Sequence, residues 1–124
     1  MQLDMCPGEL LDRLIIRRFR LQLCAVSSRE RREKLLNEVA DIERAIKGFD
    51  FPNDLECALQ SVNAKLWNME CDFSKNELNF SQEVIEEYIS LKVKRVQIRS
   101  KIDSHFGCGT REYRNFVNKI PCGD

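Results

Sequence analysis

The chain has 124 residues, 43% of them apolar and 32% charged, with a formal net charge of zero. That size accommodates one domain with one core, and three Pro with five Gly exclude a linker-rich or low-complexity chain. No run reaches the roughly 18 apolar residues of a membrane span, and no basic flank, apolar run and small-residue cleavage site open the chain, so the expected location is cytoplasmic.

The first helix is expected to begin at Pro7. In Cys6-Pro7-Gly8-Glu9 the proline takes the first helical position, where its missing N–H does no harm, and the glutamate sits where the helix dipole favours an anion. Cys6 is a poor N-cap. Leu10, Leu14, Leu21 and Cys24 follow a three-four rhythm, widened by Leu11, Ile15 and Ile16, with Arg17 in the seam between Leu14 and Leu21. A break at Val26-Ser27-Ser28 starts the second helix, for which Ser27 and Glu30 fit a capping box. Its stripe is Leu35, Val39, Ile42, Ile46 and Phe49; Gly48 reads as a left-handed C-cap, and Pro52 blocks continuation.

Asn53 with Glu56 three residues on is the expected start of the third helix. Leu59, Val62, Leu66, Met69 and Phe73 form its stripe, flanked by Asn63, Trp67 and Glu70, and this segment reads as the one the core is built on. The fourth helix opens near Ser81 with glutamates in its early turns and bases later, as the macrodipole prefers. Val84, Tyr88, Leu91, Ile98, Ile102 and Phe106 line it, Arg95 interrupts the line, and Gly107 ends it. In the remaining residues Tyr113, Phe116, Val117 and Ile120 have the spacing of a short docking helix.

Four amphipathic segments with short connections predict an all-α, antiparallel up-down four-helix bundle over residues 1–106, with a C-terminal extension over 107–124. Charge is segregated: bases dominate Met1–Lys34 and Lys92–Asp124, and acids dominate Leu35–Leu91. In an antiparallel bundle this sets opposite signs level with each other, so the blocks are expected to neutralise one another within the fold.

The two seam arginines mark the candidate site, since an arginine in place of an apolar residue must find a carboxylate or reach water. Antiparallel levels put Arg95 near Asn63 and Trp67 and Arg17 near Glu70, with Asp12 and Arg13 joining from the first helix. Two readings are open: a buried network that sets helix register, or an anion or sugar pocket with arginines for charge, Asn63 for hydrogen bonding and Trp67 as a flat wall. A second basic cluster, Arg29, Arg31, Arg32 and Lys34, opposes the dipole at a helix N-terminus and is expected to face the acidic pole. It lacks the interleaved aromatics that single strands stack on, so no nucleic acid is expected.

Catalytic residues are not evident. His105 is the lone histidine, and neither a nucleophile motif nor a Gly-rich phosphate loop is present. Paired carboxylates can do acid–base chemistry without histidine, so an enzyme stays open though unsupported. Six cysteines permit three disulfides, yet Cys24, Cys57 and Cys71 fall within predicted helices that supply a core unaided, and reduced thiols are expected. His105 and Cys108 form an unaccompanied H-x-x-C pair, and the Cys57–Cys71 and Cys108–Cys122 spacings are too wide for a zinc knuckle, so neither metal nor cofactor is expected.

Pro7-Gly-Glu-Leu-Leu-Asp-Arg13, Ser61-Val-Asn-Ala-Lys-Leu-Trp67 with Glu70, and the run Lys94-Arg95, Ile98-Arg99, Lys101-Ile-Asp103 resemble a group of small uncharacterised helical proteins of bacteria and phages. Their pattern is P-G-E-L-I-D-[RK], then V-N-x-x-L-W-x-x-E, then a basic last helix, often beside sugar-transferase genes. Cys6 replaces their usual serine cap, Lys92-Val93 their usual Asn-Asp, and the Cys-rich ending is different. The resemblance implies a helical protein with a link to glycan assembly. Together with the stripe analysis it singles out Glu9, Asp12, Arg13, Arg17, Asn63, Trp67, Glu70, Arg95 and Arg99. The function expected is a non-enzymatic binding or assembly module with a protein partner or a second copy; the alternative is an accessory protein or enzyme of glycan or sugar-phosphate metabolism.

Overall fold

The structure, a computed structural model, describes residues 5–23, 28–75 and 81–108. They form four helices and no strand: α1 (Pro7–Leu23), α2 (Arg29–Ile46), α3 (Asn53–Ser74) and α4 (Gln82–His105). The expected C-terminal docking helix lies outside the described residues. Ser81 caps α4 by accepting from the Val84 N–H at 3.2 Å, and Gly107 leaves it at φ +73°. That left-handed turn is open to glycine at no steric cost.

Three helix ends differ from expectation. Ser28, one residue beyond the expected Ser27, caps α2 through the Arg31 N–H at 3.1 Å. Gly48 is not left-handed; α2 ends on Lys47 in the right-handed region, and the Phe49 N–H tightens the last turn onto the Ile46 carbonyl at 2.9 Å. Asn53 is already helical, with Pro52 before it and no side-chain cap. Proline fixes the backbone entry here, so the side-chain cap is dispensable.

The helices alternate in direction. Partners of α1 on α4 fall as α1 numbers rise, from Gly8–Asp103 to Asp12–Arg95, whereas Asp12–Asn63 and Phe19–Trp67 rise together on α1 and α3. So α1 and α3 run parallel, with α4 antiparallel to both. Among the described residues α2 packs on α1 alone and touches neither α3 nor α4.

The core is therefore divided. Leu11 and Ile15 of α1 join Leu59, Val62, Leu66, Leu91, Ile98 and Ile102 in the larger cluster. Leu10 and Leu14, on the adjoining face, join Val39 and Ile42 of α2 in a second one. Each fully buried aliphatic side chain contributes about 1.5–3 kcal/mol, and α1 supplies four of them to two clusters. It is α1, not α3, that the fold is organised around: α3 presents one stripe, and α1 is apolar over two adjoining faces.

Candidate functional site

One seam runs between α1 and α4 in three levels. At its end, Cys6 and Cys108 are joined by a disulfide, which corrects the expectation of reduced thiols throughout; Cys57 and Cys71 are free. Two cysteines distant in sequence but adjacent at the meeting point of two helix ends could not be recognised from spacing.

One level further in, the Gly8 N–H donates to Asp103 Oδ1 at 2.8 Å, both residues being buried. This resolves the poor cap at Cys6: an N–H from the first turn of α1, without a local side-chain partner, is satisfied by a carboxylate of α4. The approach is close. A Cβ on Gly8 would lie 2.5 Å from the Arg99 carbonyl oxygen and 2.8 Å from Asp103 Oδ1, so only glycine permits this contact.

The third level is the polar layer. Asp12 is 1% exposed. Its carboxylate accepts Arg95 Nε at 3.0 Å on both oxygens and Arg95 Nη2 at 2.6 Å, Arg99 Nη1 at 3.2 Å, and Asn63 Nδ2 at 2.7 Å. Three helices thus converge on one carboxylate. Arg95 belongs to the buried side of α4 between Leu91 and Ile98, and Asn63 follows Val62 on the core side of α3. Charge-assisted bonds of this kind are stronger and more directional than neutral ones. The layer is also closed: among the described residues no buried side-chain nitrogen or oxygen lacks a hydrogen-bond partner.

The other candidates lie elsewhere. Arg13 pairs with Glu9 on α1 itself at 3.1 Å. Arg17 reaches Glu38 of α2 at 3.0 Å rather than Glu70, and Arg18 reaches Glu43 at 3.6 Å. These arginines face α2 because it covers the Leu10–Leu14 side of α1, so their charge is met there and not by the acids of α3 and α4. Arg29 pairs with Glu33 in its own helix. Trp67 packs against Phe19, ring centroids 6.0 Å apart.

Glu70 belongs to a separate cluster on the α3–α4 surface. It accepts Tyr88 Oη at 2.8 Å and lies 3.6 Å from Lys92 Nζ. Partial burial, the bond to Glu70 and its negative charge push the Tyr88 phenol up to about 12, against the opposing influence of Arg95. Each favours the neutral phenol that donates to the carboxylate.

Two surface features were not anticipated. An open cleft between α1 and α3 is lined by Ile15, Arg18, Phe19, Gln22, Gln60 and Ser61, and the polar layer does not contribute to it. On the outside of α4, Ile85, Ile89, Val93 and Val96 are 44–55% exposed. They follow one another at steps of four, four and three, a helical line in its own right. Looking for a single apolar stripe per helix passes over this line; counting both lines would have found it. Among the described residues no helix is long and apolar enough to cross a membrane, and no three His, Cys, Asp or Glu side chains are grouped to hold a metal.

The chain matches no protein-family model, no curated protein and no solved structure.

Proposed function

We propose that this chain is a non-enzymatic helical binding or assembly module whose working surface is the outer face of α4. The observation that carries this reading is the line Ile85, Ile89, Val93, Val96: four large aliphatic side chains, each about half exposed, on one face of one helix. Scattered exposed apolar residues need no explanation, whereas a contiguous line of them is the mark of an interaction surface. The closed Asp12 layer supports the same reading from the other side. Each of its fully buried side-chain donors and acceptors is matched within the protein, as befits a network that sets the register of α1, α3 and α4. An anionic or sugar ligand between these helices, the role suggested by the glycan-linked resemblance, would have to displace bonds already made.

The test is the size of the native species. In lysate of cells that produce it, the wild-type chain is expected to elute above its monomer mass. The Ile89→Glu/Val93→Glu variant, altered only at exposed positions, is expected at monomer mass with unchanged helical circular dichroism. A wild-type chain that stays at monomer mass in lysate, also when that lysate is supplemented with purified chain to high micromolar concentration, refutes the proposal.

A further inference from the structure

Resting on that reading, we infer that the partner is a second copy of this chain, paired through two α4 helices running antiparallel about a two-fold axis at the level of Leu91. A two-fold interface must be complementary to itself, each contact occurring twice, and the exposed face of α4 has that property. Along it run Gln82, Ile85, Ile89, Val93, Val96 and Ser100. Reversal about position 91 carries Gln82 onto Ser100, Ile89 onto Val93, and Ile85 to within one residue of Val96. The apolar line then meets its own copy, closed at both ends by uncharged polar residues.

Charge selects the direction. From Gln82 to Leu91 the helix carries Glu83, Glu86 and Glu87, all exposed, and no base; beyond Leu91, where Arg95 and Arg99 are held by Asp12 and Lys92 by Glu70, the exposed charges are Lys94 and Lys101. Antiparallel pairing sets each acidic half beside a basic half and opposes the helix dipoles; parallel pairing sets like beside like. All four apolar side chains are β-branched and already restricted at χ1 in a helix, so ordering them at a contact costs little entropy. Four side chains, each already about half buried, make a small contact beside the ~800 Å² per partner of a standard interface, so the expected dimer is weak and concentration-dependent.

Light scattering on the purified full chain across the micromolar range tests this. The mass is expected to climb towards twice that of the monomer, and Ile89→Glu to weaken association more than about tenfold while leaving the helical signal intact. A photoreactive residue at position 85, in a mixture of isotopically light and heavy chains, is expected to capture the peptide containing Val96 of the other copy. Capture of the other copy's own position 85 overturns the antiparallel arrangement, and capture of residues 109–124 of the same chain assigns the face to that segment and overturns the pairing. A purified chain that is monomeric at every concentration also overturns self-pairing. The broader module reading is then judged separately, by the lysate profile.

Discussion

Replacing Asp12 with alanine removes the one carboxylate on which three helices converge, and the cost can be worked from its surroundings. Asp12 and Arg95 have side chains 1% and 12% exposed, so the substitution strands a guanidinium that is largely withdrawn from water. Breaking a buried pair by removing one partner costs about 3–5 kcal/mol, and leaving the buried Asn63 amide without its acceptor adds about 1–3 kcal/mol. These do not sum, because Arg99, 26% exposed, can turn towards solvent and the sites are coupled. The expected loss is about 4 kcal/mol, against the roughly 5–15 kcal/mol that holds a domain of this size together. With a urea slope of about 2 kcal/mol per molar, the unfolding midpoint falls by about 2 M. Arg95→Ala is expected to lose a comparable amount, and the double variant clearly less than the two losses added. The loss should change little between low and high salt, since screening acts weakly on a buried pair. A loss below about 1 kcal/mol, or strict additivity in the double-mutant cycle, refutes the assignment of this layer as the register-setting network.

Three further outcomes follow from the same seam and its surroundings. Gly8→Ala, which in an ordinary helix interior would stabilise by about 1 kcal/mol, is expected to destabilise by about 1–3 kcal/mol because the new Cβ meets a backbone carbonyl that cannot swing aside; a raised melting temperature counts against the close approach of α1 to α4. Thiol labelling of the denatured, unreduced chain is expected to modify Cys57 and Cys71 and to spare Cys6 and Cys108. Reduction, which opens a loop of sequence separation 102, is expected to cost up to about 5 kcal/mol; labelling of Cys6 and Cys108 would refute the bridge. Because such bridges persist in oxidising surroundings, the labelling pattern in lysate also reports on the compartment. Finally, the Tyr88 phenol is raised from 10.0 to about 12, so its contribution to stability is intact below pH 10 and is lost as pH rises towards 12. Tyr88→Phe is expected to remove that part of the alkaline decline, and an unchanged pH profile in the variant refutes the Glu70 bond.

The four helices were legible in the sequence because each rests on local physics. Three-four spacing of apolar residues, Pro7 at a first turn, Ser81 before a glutamate and Gly107 after Phe106 act within a few residues of themselves and need no knowledge of the fold. Arg95 was legible as an anomaly for the same reason: it interrupts a line that is otherwise apolar. Its partner was less so. Asp12 emerged as one of several acidic and polar residues at about the right level, and only packing separated it from Glu9, Arg13, Arg17 and Glu70. Those four satisfy themselves on α1, on α2 or at the α3–α4 surface. Charge level along the bundle was a fair guide to proximity, but it does not say which helix stands at which side of another.

By itself, then, the sequence determined the number, approximate extent and direction of the helices and the presence of a buried charge that had to be paired, since these depend on periodicity and on the cost of desolvation. Tertiary structure alone decided that α1 rather than α3 lies at the centre, that α2 packs, among the described residues, on α1 alone, that Asp103 caps α1 from across the seam, that Cys6 meets Cys108, and that one of the two apolar lines of α4 is left facing outwards. A helical period fixes which residues share a face. Which face meets which neighbour depends on the summed fit of all four helices, and no single segment contains that information.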